Sequence, residues 1–224
     1  MSSPQFTLYA HIGPNPWKVV FLLEELGLTY KLAHVDTSKN EHKEAPYVLL
    51  NPNGRMPTLV DHHNNDFAIW ESGAIMLYLI EKYDTQKKLS FEKFESEALA
   101  KQYLMFQMSG QGPYFGQAVW FEVYHPEKVP SASDRYMAEI KRIVTVLNTI
   151  LEGRNWLVED KCSYADLSFI PWMWLFDWPV MKMSNWREVP EYKNVVRWYD
   201  AMEAMECVKK TKEIRATEFK MPSS

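Results

Sequence analysis

Residues 6–36 read FTLYAHIGPNPWKVVFLLEELGLTYKLAHVD. FTLYAHI is rich in β-formers and reads as a strand, ended by Gly13 and Pro14. Asn15 stands at the turn, and Pro16 opens a helix expected to run to Leu26. Asparagine is a good N-cap, proline suits the first helical position, and Gly27 is a stop signal. Val19, Leu22, Leu23 and Leu26 fall on one face, so the helix should pack on a sheet. YKLAHVD is then a second strand, completing a βαβ unit with a right-handed crossover.

The next signals extend this unit. A short irregular helical stretch surrounds APYVLL, and TLVD and DFAIWE are short strands joined by the turn residues HHNN. SGAIMLYLIEKY follows as a helix starting at Ser72. The order βαβ–α–ββα is that of a thioredoxin-like half-domain, assigned to residues 1–83. Residues 84–93, DTQKKLSFEK, are polar and aperiodic and read as a linker. Residues 94–224 carry only helical patterns: FESEALAKQYLMFQMSG, SDRYMAEIKRIVTVLNTILEG, YADLSFIPWMWLF and VVRWYDAMEAMECVKKTKE. The expected fold class is therefore α/β plus all-α.

Composition narrows the function. With 224 residues, 46% hydrophobic and 24% charged, the chain has the balance of a water-soluble globular protein. No apolar run approaches the ~18 residues of a membrane span. The start, MSSPQFT, lacks signal-peptide features, so a cytoplasmic protein with no membrane role is expected. A net charge of −4 argues against nucleic-acid binding. The basic stretch VKKTKEIRATEFK interleaves lysines with Glu213 and Glu218 and reads as a solvated terminal helix. Cys162 and Cys207 form no C-x-x-C pair and read as inert thiols. His62 and His63 lack further ligands, so no metal is expected. GQGPYFG (110–116) misses the dinucleotide fingerprint in spacing and follows a helix.

Two motifs carry chemistry. In NPNGRMPTLVD, Met56-Pro57 precedes a strand. A cis peptide there would present the Met56 backbone N–H and C=O to an extended peptide-like ligand, while a trans proline would merely end the loop. In WESGAI, Glu71 ends a strand and Ser72 opens a helix. A helix N-terminus with a hydroxyl suits a carboxylate, and a neighbouring carboxylate suits an ammonium. The pair would fit an amino-acid-like ligand; its simpler role is a helix cap and dipole partner.

In order and spacing these pieces resemble the glutathione transferase superfamily over nearly the whole chain. Ser163-Tyr164-Ala165-Asp166 is similar to that family's folding signature in the helical domain, physically a capping box with Asp166 in the place of Glu or Gln. GPNPWKV, the His42 segment, NPNGRMPTLVD and IWESGAI most resemble the fungal class related to the yeast nitrogen-regulatory prion protein, close to the bacterial nu class. Gly13 departs from the alanine expected ahead of the proline.

The resemblance implies a glutathione-dependent enzyme of detoxification or thiol redox, with glutathione as co-substrate and a hydrophobic or electrophilic second substrate. Glu71 and Ser72 would hold the γ-glutamyl end. Met56 would pair with the cysteinyl backbone beside a cis Pro57. Arg55 and His42 would lie near the glycyl carboxylate or line the groove, and Asn15 would face the sulfur as the catalytic residue. Attack on electrophilic carbon, peroxide (peroxidase) or disulfide (disulfide reductase) is left open. Aromatic residues from Tyr114 to Tyr124 and from Trp172 to Trp178 read as core, with some of the 103–124 helices expected to form the second-substrate pocket. A homodimer is expected. The rival reading is a non-catalytic regulatory or ligand-binding protein; its relatives carry a long Asn/Gln-rich N-terminal extension, whereas this sequence starts almost at its first strand.

Overall fold

The computed structural model describes residues 3–183 and 185–219. The chain divides into two compact units, one running to Lys88 and resuming from Met205, the other Leu89–Ala204.

In the first unit, β1 (Phe6–Ala10), α1 (Asn15–Glu25) and β2 (Tyr30–His34) form the βαβ unit, with β1 and β2 parallel. Short 3-10 turns at Thr37–Lys39 and Glu41–Lys43 lead into α2 (Tyr47–Leu50). β3 (Thr58–Asp61) and β4 (Phe67–Trp70) are antiparallel, and α3 spans Ser72–Tyr83. The sheet order is β2-β1-β3-β4. Asp61, fully buried on β3, accepts hydrogen bonds from the hydroxyls of Tyr78 (2.6 Å) and Tyr83, tying α3 to the sheet.

α1 was expected to bury one face. Instead every residue from Pro16 to Leu23 is buried. The cause lies at the far end of the chain. VVRWYDAMEAMECVKKTKE forms two helices, α8 (Lys193–Glu203) and α9 (Glu206–Glu218), separated where Met205 turns extended (φ −68°, ψ 143°). α9 packs on α1. Val208 and Thr211 are fully buried, Lys210 pairs with Glu24 at 2.5 Å, and Arg215 donates to the Ile12 carbonyl at 3.3 Å. The basic stretch is thus solvated on one side only. Each fully buried valine or leucine on α1 contributes about 1.5–3 kcal/mol of transfer free energy, which a helix bare on that face would forgo.

The expected boundaries change accordingly: residues from Met205 onward, assigned to the helical domain, join the first unit. Residues 84–93 are not a loose linker either. Asp84 is buried and accepts from the Lys88 N–H at 2.7 Å, while Leu89, Ser90 and Phe91 are buried within the second unit, where Lys161 donates to the Ser90 carbonyl at 2.6 Å.

The second unit contains α4 (Phe94–Phe106), α5 (Gly112–Val119), α6 (Pro130–Ile150), α7 (Tyr164–Met173) and α8. The GQGPYFG stretch lies across the end of a π-helical turn, Gln107–Gln111, and the start of α5. The capping box forms at the start of α7, whose ten residues are all buried. Phe115, Phe176 and Trp172 are buried as expected of core aromatics, whereas Trp120 and Tyr124 are exposed. No helix among the described residues is long and apolar enough to cross a membrane.

Candidate functional site

Register places the sequence motifs side by side. Tyr9 on β1 pairs with Thr58 on β3, and Thr58 pairs with Trp70 on β4. The end of β1, which leads to Asn15, therefore adjoins the start of β3, which follows Met56-Pro57, and the start of β3 adjoins the end of β4, which precedes Glu71 and Ser72.

Ser72 is buried as the first residue of α3, while Glu71 before it is exposed. Glu71 holds φ 70° and ψ 115°, a left-handed conformation that costs a non-glycine residue about 1–3 kcal/mol and that recurs at ligand sites. Lys18 of α1 reaches the same place. It is 1% exposed, and its Nζ lies 3.3 Å from Ser72 Oγ. Burial pulls the Lys18 pKa down to about 7, opposed by the Glu71 charge. A helix N-terminus and a buried hydroxyl next to an exposed carboxylate have the chemistry to take a carboxylate–ammonium zwitterion.

The Met56–Pro57 peptide is cis. The Met56 side chain is buried with Val35 and Tyr47. The loop before it is pinned by two side chains. The Arg55 carbonyl accepts from the Tyr47 hydroxyl and from Asn51 Nδ2, each at 2.6 Å, and Asn51 Nδ2 also lies 3.0 Å from Thr58 Oγ1. The Arg55 side chain is exposed. Gly54 holds φ 58°, and a Cβ there would come within 2.6 Å of the His42 carbonyl oxygen. Glycine is what lets the His42 turn and the Arg55 loop touch. His42 is half-buried, and its Nδ1 is shielded from water with no hydrogen-bond partner among the described residues.

Asn15 differs from its expected local role. The helix begins at Asn15 itself, and the capping position falls to Pro14, which offers no side-chain bond. Asn15 is half-buried at the end of α1 where N–H groups lack intrahelical partners. The turn before it is shaped by His11, whose Nδ1 accepts the Gly13 N–H at 3.1 Å and whose ring fills the space a Cβ on Gly13 would need. This accounts for glycine at the position where alanine was expected. Burial and then His42 hold the His11 pKa down to about 4, so its ring is neutral, with its proton on Nε2.

All six expected positions, Asn15, His42, Arg55, Met56, Glu71 and Ser72, thus lie along one edge of the first unit. Lys18, His11, Tyr47 and Asn51 were missed. Lys18 had a signal: a single lysine within the apolar run Trp17–Leu23. Burial, then Glu25, pushes the Cys207 thiol up so that it stays protonated. Among the described residues no three His, Cys, Asp or Glu side chains are grouped to hold a metal ion.

Residues 4–81 match the glutathione S-transferase N-terminal domain, and residues 111–206 match the C-terminal domain. The chain is 49% identical over 222 residues to glutathione S-transferase 1 of Schizosaccharomyces pombe, covering 95% of this chain and 97% of that protein. Among solved structures it is similar to the glutathione transferase URE2P6 from Phanerochaete chrysosporium in complex with oxidized glutathione (46% identity, TM-score 0.91, 96% and 98% of the chains). It is also similar to Ure2p5 of that organism cocrystallized with 1-(S-glutathionyl)-2,4-dinitrobenzene (40% identity, TM-score 0.87, 97% of each chain). From both domain matches, and from relatives this similar along nearly its full length, the chain belongs to the glutathione S-transferase family.

Proposed function

We propose that this protein is a glutathione transferase that binds glutathione along the described edge of its first unit and uses the thiolate as a nucleophile. The observation that carries this is the exposed Glu71 beside the buried Ser72 at the start of α3, whose chemistry suits the zwitterionic γ-glutamyl end of glutathione. Met56 then pairs with the cysteinyl backbone, and Arg55 and His42 line the glycyl end. Asn15, at the start of α1, faces the sulfur.

A free thiol has a pKa near ~8.5, so only about 3% is ionised at neutral pH. Lowering it by about two units requires roughly 2.7 kcal/mol of preference for the anion. The Asn15 amide N–H₂ and the N-terminus of α1 supply hydrogen bonds and dipole toward that preference. The thiolate sulfur then attacks an electrophilic carbon, a carbon–sulfur bond forms, and the leaving group departs with its electron pair. That a close structural neighbour was crystallised with a dinitrobenzene conjugate favours this outcome. Oxidised glutathione in another neighbour favours a second reading, disulfide reduction, in which the thiolate attacks one sulfur and the other leaves as a thiolate. The protein is taken to be a cytoplasmic homodimer; light scattering that found only monomer across the micromolar range would remove the dimer.

The test is calorimetry with glutathione, followed by turnover with an aryl halide, a hydroperoxide and a mixed disulfide. Wild-type protein should bind and turn over at least one acceptor. Ser72→Ala should weaken glutathione affinity by about 1–3 kcal/mol, the cost of a lost hydrogen bond to a charged group. Binding without any turnover would favour a regulatory protein, and unchanged affinity in folded Ser72→Ala would remove the pair.

A further inference from the structure

Residues 11–14 lead from β1 to Asn15 and belong to neither element. Their middle peptide, Ile12–Gly13, is held at both of its polar groups. The Gly13 N–H donates to His11 Nδ1 at 3.1 Å. The Ile12 carbonyl accepts from Trp17 Nε1 at 3.2 Å and from Arg215 Nε at 3.3 Å, one donor for each lone pair. His11 and Trp17 are local, whereas Arg215 arrives from 203 residues along the chain. Resting on the glutathione reading above, we propose that Arg215 is a positioning residue. It holds the Ile12–Gly13 peptide so that Asn15 faces the sulfur of bound glutathione, which makes the end of α9 part of the site.

The glycine in that peptide makes the hold necessary. Gly13 leaves the backbone freer than any other residue would, and a rotated turn carries Asn15 with it. A hydrogen bond to sulfur needs alignment, and a displacement of about 1 Å can cost roughly a hundredfold in rate. The end of α9 is itself fastened. Glu218 Oε2 lies 3.1 Å from His34 Nε2, and the Phe219 ring stacks on His34 at 4.3 Å. Phe219 also stands T-shaped to Trp17 at 5.5 Å, against the fully buried indole whose N–H reaches the same carbonyl. Both donors to the Ile12 carbonyl are thus steadied by one stretch, residues 215–219.

Arg215 makes other interactions as well, so the bond from Nε is isolated by the choice of substitution. Glutamine carries an amide N–H₂ at the same place along the side chain as arginine Nε, without the charge. Methionine has neither donor nor charge there. The readout is the ultraviolet titration of the thiol of bound glutathione. In Arg215→Met its midpoint should rise by about one unit and turnover should fall about tenfold, the size of one weakened hydrogen bond to an anion. The dissociation constant of S-methylglutathione, which has no thiol, should stay within about twofold of wild type, since its binding groups lie elsewhere. Arg215→Gln should keep the wild-type midpoint. If Arg215→Met does not fold, Arg215→Lys, which has a methylene in the place of Nε, must show the same rise.

Two further proteins separate positioning from stability and from direct action on the sulfur. Val208→Ala thins the fully buried face of α9 without touching the Ile12 carbonyl, and should lower the melting temperature while leaving the midpoint in place. On an Asn15→Ala background, Arg215→Met should raise the midpoint no further, because its effect passes through Asn15. A midpoint that Arg215→Met leaves in place overturns the proposal while the glutathione reading stands. So does an equal rise in Arg215→Gln or Val208→Ala, or a further rise on the Asn15→Ala background. A wild-type protein whose bound thiol titrates like free glutathione overturns that reading, and this inference with it.

Discussion

Asp166→Ala is expected to destabilise the second unit by about 3–5 kcal/mol, the cost of stripping a buried charge from the donors it serves. Asp166 is fully buried at the third position of α7. Its Oδ2 accepts from the Ser163 N–H (2.9 Å) and hydroxyl (2.8 Å), while Oδ1 accepts from the Leu157 N–H (2.9 Å) and Trp198 Nε1 (2.8 Å). One carboxylate thereby caps α7, fixes the loop before it and anchors α8. Burial pushes its pKa upward, and the surrounding donors pull back toward the anion. Alanine leaves three N–H groups buried without an acceptor. Asn would turn an N–H₂ toward one pair of donors and should be nearly as damaging. Urea unfolding checks this. A midpoint shift equivalent to less than about 1 kcal/mol at unchanged slope would show that the box is dispensable.

The second large effect is on chemistry. Asn15→Ala should slow turnover by about five- to 150-fold, corresponding to ~1–3 kcal/mol for one lost donor to a thiolate. Asn15→Asp should be worse, since it sets a like charge beside the sulfur. Asn15→Ser keeps a donor and should recover part of the rate, and Asn15→Cys, by offering the protein's own thiol, should shift the balance toward disulfide exchange. A residue present only to cap α1 would behave differently, because Asp and Ser are both good caps and would preserve turnover. The structure has already moved the capping position to Pro14. Steady-state kinetics alongside melting curves of the Ala, Asp and Ser proteins separate the two roles.

Much of this was legible from residue order because the signals are local. Period and punctuation located the βαβ unit, and the Ser72 start of α3 was read correctly because the change from strand to helix occurs within two residues, Trp70 to Ser72. The boundary between the units was not legible. Residues 195–213 keep helical spacing through Ala204 and Met205, so the break there leaves no periodic trace. That α9 then covers α1 is a contact across nearly the whole sequence. Lys18 was missed because lysine is rarely buried, and residue-type preference points it outward. Tyr47 and Asn51 were missed because their value lies in a backbone carbonyl several residues away, at Arg55. The His11–Gly13 pairing became visible only once the turn was in hand, although the unexpected glycine was its trace.

On the proposed reading, the start of α1 makes an anion of a thiol the protein does not own. The most direct measurement of this is a pH titration of the ultraviolet thiolate absorbance of bound glutathione, on wild-type and Asn15→Ala protein, under saturating conditions. The wild-type midpoint should lie about two units below the ~8.5 of a free thiol and return upward in Asn15→Ala. A bound thiol that titrates like free glutathione, or a depressed midpoint that Asn15→Ala leaves in place, would contradict it.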